Sequence, residues 1–397
     1  MGAVTSIQLA TTPPPRAFGE AHAPRAFGET HAPRAFGETH TPRAFGETHT
    51  PRAFGETHTP RATARGWDFL GSCPAPLRMR MRDDLADLLR ETHRTRGERL
   101  KGCMPMGQGG RTPFERLRHI RDLEDFPKLL ASADHGNAFN RAFHARHVET
   151  GAFVAPQPAG AAAAFENAGL IDPRGWIGVY AVAPFVLLVD RARLGARKIP
   201  KNWADLADPV YRGEIALSGW RPEGAPQWRA FNQFFLVAVA RLLGEKVLRE
   251  VLANLAGLAH SAQMPRLAGT ANSVAAIYVL PWALADMCPR RDRTEVLWPR
   301  EGALAFPLWM TAQAAHSERV APLADYFFSP KTARWLDHNR YPSLAPTGGA
   351  TLPADARLAW PGWDFFRARA SAAEIKRITA LFHAATEKLD RGQSLCA

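Results

Sequence analysis

The stretch IPKNWADLADPVYRGEIAL, residues 199–217, decides the fold, because it is a complete helix-to-strand transition with distinctive chemistry at both ends. Pro200 and Asn202 stop the preceding segment, Asn202 caps a short helix, and Asp205 follows three residues later at the capping-box position. Asp208 stands before Pro209, which pushes it out of the α region and ends that helix. Gly213 then releases the chain into the alternating run Glu214, Ile215, Ala216, Leu217, which reads as a strand.

Working outward, AFENAGLIDPRGWIGVYAVAPFVLLVD (residues 164–190) is a turn feeding a long apolar strand, and VLWPREGALAFPLWMTAQ (residues 296–313) is a second one. The first stretch resembles the "P-x-x-W-x-D-L-x-D-P-x-Y-x-G-x-I" segment of substrate-binding proteins of bacterial ABC transporters, the group that carries ferric iron, polyamines and related solutes. The other two are similar to that group's "ageliDP-x-G-x-y" turn and its "v-x-W-P-x-D-G-x-x-x-x-P" return crossing, with Glu301 where an Asp is commoner. YFFSPKTARWLDHNRYPSLAP (residues 326–346) and AWPGWDFF (residues 359–366) also resemble the group, so that the likeness covers roughly residues 100–382.

The resemblance implies a two-lobed α/β protein of the type II periplasmic-binding-protein fold, with an interlobe cleft and two crossover strands near residues 179–187 and 303–309. Each lobe is expected to hold its own sheet. Lobe one is expected from residues 100–185 and 305–390, lobe two from residues 186–304, a linker with an accessory helix from residues 65–99, and a disordered repeat from residues 1–64. The implied role is capture of a small molecule or ion and delivery to ABC permease subunits, by a monomer with no cofactor and no catalysis. A cytoplasmic ligand sensor on the same fold, or an enzyme of the thiamine-pyrimidine-synthase type, are the alternatives.

Composition bounds these readings. The 397 residues allow two to three domains on the usual size range, and 46% hydrophobic content is ample for packed cores. The longest apolar run, residues 274–285, is broken by Pro281 and reads as a buried strand entering a helix, so no transmembrane segment is expected. The net charge of +12 admits an anionic ligand, but the basic residues are scattered without stacking or zinc motifs, which argues against nucleic acid. Cys73, Cys103, Cys288 and Cys396 form no close pair.

The amino-terminal part is a tandem repeat of PRAFGETHT in five near-identical copies. One Phe per nine residues beside Pro and Gly builds no core, so disorder is expected. The first fifteen residues lack an export signal, which points either to a misassigned start and a periplasmic protein or to a cytoplasmic one. Next, Leu77, Met81, Leu85, Leu88 and Leu89 share one helix face, a stripe suited to docking on the neighbouring domain.

Ligands of the resembling group sit between the lobes, against loops at strand ends and helix amino termini. In GCMPMGQGGRTPFERL (residues 102–117) a glycine-rich loop runs into a helix start with Thr112 as cap, so Gly107, Gln108, Gly109, Gly110, Arg111 and Thr112 are expected to bind an anionic ligand. A plain turn with a solvated Arg is the alternative. Asp134 is either a helix cap or a cleft residue. On lobe two, Ser261, Gln263, Tyr278 and Trp282 are the candidates, with core aromatics as the alternative for the last two. The five tyrosines include no adjacent pair, which argues against phenolate iron chelation. His144 and His147 share a helix face, and Cys103 lies where a helix start would stabilise a thiolate.

Overall fold

A computed structural model describes residues 66–105, 114–133, 139–220, 230–344 and 352–394. Its strands are β1 (Phe69–Gly71), β2 (Gly102–Cys103), β3 (Leu129–Ser132), β4 (Phe153–Val154), β5 (Gly178–Asp190), β6 (Ile215–Trp220), β7 (Ala230–Phe231), β8 (Leu255–Ala259), β9 (Ile277–Pro281), β10 (Thr294–Leu297), β11 (Ala303–Gln313) and β12 (Leu358–Ala359). The longer helices are α1 (Ala75–Arg96), α2 (Gln233–Leu243), α3 (Glu245–Ala253), α4 (Ser317–Phe328), α5 (Pro330–His338) and α6 (Ser371–Ser394).

Two strands carry the chain between the lobes. All thirteen residues of β5 are buried, which is why this strand reads as a continuous apolar run rather than an alternating one. It pairs antiparallel with β11 from Leu304–Phe185 to Met310–Gly178. Pro184 and Pro307 lie within this ladder, opposite Ala305 and Val182, and the register shifts between Leu308 and Trp309. Proline has no amide to donate, so the ladder is thinned where the chain crosses.

The sheet path β2-β1-β3-β11-β5-β9-β6-β7 is unbroken. The expectation of a separate sheet in each lobe is therefore corrected: the lobes share the two crossing strands, and hydrogen bonds run through them. Buried side chains still gather in separate clusters, with Leu77, Met81, Leu308, Leu323 and Leu336 in one and Val186, Met264, Tyr278 and Ala285 in another.

Lobe one also begins earlier than residue 100. β1 lies between β2 and β3, parallel to both, and α1 buries Leu77, Met81, Leu85 and Leu89 against the same cluster. This part of the chain is a central strand and its helix, since a strand hydrogen-bonded on both edges belongs to the sheet. Gly97, at φ 68, ends α1 in the left-handed conformation that glycine adopts without a Cβ penalty.

The 199–217 stretch folds as two 3-10 turns rather than one helix, Ala204–Ala207 and Pro209–Tyr211. Asp205 accepts the amides of Lys201 (2.7 Å) and Asn202 (3.0 Å), the reach-back half of a capping box. Asn202 caps nothing with its side chain. Its expected role goes to Glu301, whose two carboxylate oxygens accept the Trp203 amide at 3.0 and 3.2 Å. Asp208 is extended (ψ 127), as a residue before proline should be, and accepts the Val210 amide.

Candidate functional site

Strand direction places the cleft. β3 runs antiparallel to β11 with Ser132 opposite Trp309, and β1 and β2 run parallel to β3. The carboxyl ends of all three therefore approach the middle of the crossing strands. From the other lobe, β9 runs antiparallel to β5 with Pro281 opposite Phe185, and β6 and β8 are parallel to β9 and to each other. Their carboxyl ends approach the same short stretch from the opposite side. In α/β sheets this is where ligands bind, because loops and helix amino termini present free amides there.

The residues expected to hold the ligand, Gly107, Gln108, Gly109, Gly110, Arg111 and Thr112, follow β2 in sequence and lie outside the described residues. So does Asp134, two residues beyond the end of β3. Ser261 and Gln263 are in the turn that leaves β8 at the facing edge. The His260 carbonyl accepts the Gln263 amide at 2.7 Å, the His260 ring accepts the Ala262 amide at 3.2 Å, and Met264 anchors the turn in the core. The Gln263 side chain is exposed.

Tyr278 is placed elsewhere, and its reading as a cleft wall is corrected. Its ring is fully buried in the lobe-two cluster, and its hydroxyl accepts the Val274 amide at 3.0 Å while sharing a hydrogen bond with Ser273 Oγ at 2.9 Å. It sits three residues before the end of β9 and braces the turn that feeds the strand. Trp282 does stand at the strand end, 7% exposed. Its ring meets Trp298 edge-on at 5.2 Å, and the Arg340 guanidinium lies 5.0 Å from it. Arg340 Nε donates to Asp286 at 3.0 Å, so a residue following α5 of lobe one is fastened to the turn after β9.

The remaining candidates are engaged or inert. Tyr180, Tyr211 and Tyr341 are buried, Tyr211 donates to the Lys198 carbonyl, and Tyr326 donates to Asp84. Burial pushes the phenols of Tyr180, Tyr211, Tyr326 and Tyr341 above their ordinary value, which works against a phenolate metal site. Cys103 is likewise raised by burial, the reverse of the activated thiolate expected, and Cys73 is pushed up to about 12 for the same reason. His144 contacts Glu149 at 3.3 Å and His147 contacts the Arg121 carbonyl at 3.1 Å. Among the described residues no three His, Cys, Asp or Glu side chains gather as a metal site.

Sequence reasoning missed Asn232 and Trp360. Asn232 caps α2 by accepting the Phe235 amide at 3.0 Å, and its Nδ2 is buried without a hydrogen-bond partner among the described residues. Trp360 Nε1 is also buried, with no partner among the described residues. Phe234, two residues after Asn232, stacks on Trp360 at 5.8 Å and meets Phe306 of β11 edge-on at 5.0 Å. Among the described residues two buried N–H donors near the amino end of α2 thus lack acceptors, and an unmet buried donor costs about 1–3 kcal/mol. The Asn-Gln-Phe-Phe cap pattern was the sequence signal for Asn232.

Comparison with known proteins agrees with this geometry. No curated protein matches the chain in sequence. Among solved structures, apo FutA2 from Synechocystis superposes with a TM-score of 0.52 at 16% identity, covering 80% of this chain and 99% of that one. The Trichodesmium IdiA/FutA protein in complex with iron and citrate gives 0.51 at 14% identity, covering 80% and 99%. The Bordetella ferric binding protein gives 0.50 at 17%, covering 79% and 98%. At such identities these likenesses establish the two-lobed fold. A sequence profile of bacterial extracellular solute-binding proteins matches residues 124–369, well over half of the chain. Both crossing strands and the whole of the second lobe lie inside that match, and the chain belongs to the bacterial extracellular solute-binding protein family.

Proposed function

We propose that the protein captures a small solute between its lobes and hands it to the permease subunits of an ABC importer, as a monomer on the outer side of the cytoplasmic membrane and without covalent chemistry. The convergence of strand ends from both lobes on β5 and β11 is the observation that carries this reading. The solute bears hydrogen-bond acceptors or negative charge: the sequence of residues 107–112 offers glycine amides and the Arg111 guanidinium, and among the described residues Asn232 Nδ2 and Trp360 Nε1 are buried donors without an acceptor. Iron and citrate accompany one of the structural relatives. Burial raises the phenols of Tyr180, Tyr211, Tyr326 and Tyr341, which favours an anion over a bare ferric ion.

A cleft ligand raises apparent stability by about 2.7 kcal/mol at one hundred times its Kd. The test is a thermal-shift panel of phosphonates, sulfate, citrate, ferric citrate, thiamine and polyamines. An anionic solute should raise the melting temperature by a few degrees, with Arg111→Ala weakening its binding by about 1.5–3 kcal/mol. If only polyamines shift the melt, the anionic assignment is wrong; if Arg111→Ala binds as tightly as the parent, that loop is only a turn.

A further inference from the structure

A second concave site lies on lobe one, apart from the strand ends. It is a cavity of about 650 Å³ between the helical segment that follows Asn140 and the chain just before α6. Arg118, Arg141, His144, Trp176, Arg367 and Arg369 face it. Among the described residues none of its lining comes from the carboxyl end of a strand or from lobe two's loops, so it is a separate site from the cleft.

The walls are held by specific contacts. Arg367 makes two parallel hydrogen bonds to Asp172, both 2.6 Å, with the pair 12% and 0% exposed. Asp172 in turn accepts the amides of Arg174, Trp176 and Ile177, each at 3.0 Å. The guanidinium groups of Arg174 and Arg367 lie 5.1 and 4.9 Å from the Trp176 ring, and His144 meets the same ring edge-on at 5.2 Å. Arg141 Nη2 donates to the Arg369 carbonyl at 2.6 Å and ties the two walls together.

Charge then decides what fits. Arg367 is matched by Asp172, but Arg118, Arg141 and Arg369 form no ion pair among the described residues, and the lining carboxylate that remains is Glu149, which is given to His144. A neighbouring depression shares Arg118 and Asn140 and adds Arg121 and Arg146, so the basic surface continues outward. Guanidinium forks match the oxygens of phosphate groups, and a water-sized-to-small-molecule cavity ringed by them selects multiply charged anions. Trp176, occupied by its two guanidinium neighbours, is left as a wall and not a stacking platform.

We propose that this cavity binds a phosphate-type polyanion, with Arg118, Arg141 and Arg369 as its primary contacts. The site is independent of the solute cleft and stands or falls without it. The shared chemistry, a phosphate group, has two sources: a free phosphate compound or an anionic lipid headgroup.

The full chain is titrated calorimetrically with inorganic pyrophosphate and sedimented with phosphatidic acid vesicles, for the parent, for the double variant Arg118→Ala/Arg369→Ala, and for Trp282→Ala as a cleft control. Binding to pyrophosphate that weakens by about tenfold for each guanidinium removed, and that leaves the control unchanged, establishes the site. Vesicle binding without pyrophosphate binding, again lost in the double variant, assigns the lipid headgroup as the source. Absence of both, or equal binding by the double variant with an unaltered melt, overturns the proposal.

Discussion

The Trp203 amide donates to both carboxylate oxygens of Glu301, at 3.0 and 3.2 Å, and the Trp203 indole Nε1 donates to the Gly302 carbonyl at 2.8 Å. Residues 98 positions apart thus fasten the entry turn of lobe two to the return crossing. The tryptophan of the first motif and the acid-glycine of the second occur together because they are one structural joint. Gly302, at φ 115, packs against the backbone of Leu358 and Ala359, where a Cβ would clash at 2.9 Å.

Removing the acid should loosen that joint without unfolding the protein. Glu301→Ala leaves the Trp203 amide without its acceptor and should cost about 1–2 kcal/mol in urea unfolding. Glu301→Asp, the commoner residue in the resembling family, should cost less than half as much. Equal losses for the two variants would show that the carboxylate is not what holds the turn.

Acid should act through Asp172. Burial by itself would raise its carboxyl, but the hydrogen bonds from Arg367 and from the Arg174 and Trp176 amides outweigh burial and hold it below the usual carboxylate range. A folded pKa below the unfolded value of about 3.9 gives stability that is complete above that pH and is lost as pH falls through the folded value. Asp172→Asn should cost about 3–5 kcal/mol at neutral pH, because Arg367 stays buried without its partner, and should flatten the acid limb of the stability profile. A variant whose melting temperature falls as steeply as the parent's below pH 4 would assign that limb to other carboxylates.

The Arg340 fastening can be dissected through its backbone. Arg340 holds φ 64, a left-handed conformation that costs a non-glycine residue about 1 kcal/mol, while its half-exposed bond to Asp286 is worth about as much. Arg340→Gly should therefore be nearly neutral in chemical denaturation, and Arg340→Ala should lose about 1 kcal/mol. Both should weaken the coupling between the lobes, seen as faster amide exchange in the turn after β9. Equal destabilisation by the two substitutions would remove the backbone argument.

Local chemistry determined much of this protein from its sequence. The apolar runs at β5 and β11, the proline and glycine punctuation around residues 199–217, and the Gly244 break between α2 and α3 all act within a few residues, so their consequences are readable along the chain. Two of the family motifs, residues 164–190 and 296–313, lay on the crossing segments for the same reason. Long-range partnership was not readable. Which acid caps Trp203 depended on Glu301, brought in by the return crossing; whether Tyr278 faced a cleft depended on the turn 273–275 folding over its hydroxyl. β1 looked like part of a linker because a three-residue strand has no period to read, and only hydrogen bonding on both edges makes it central to lobe one. The cavity on lobe one joins Arg118, Arg141 and Arg369, which are spread over 250 residues, and nothing in the spacing of arginines along a basic chain could have separated them from the solvated ones; tertiary packing decided it by aligning two distant segments across one Arg-Asp pair.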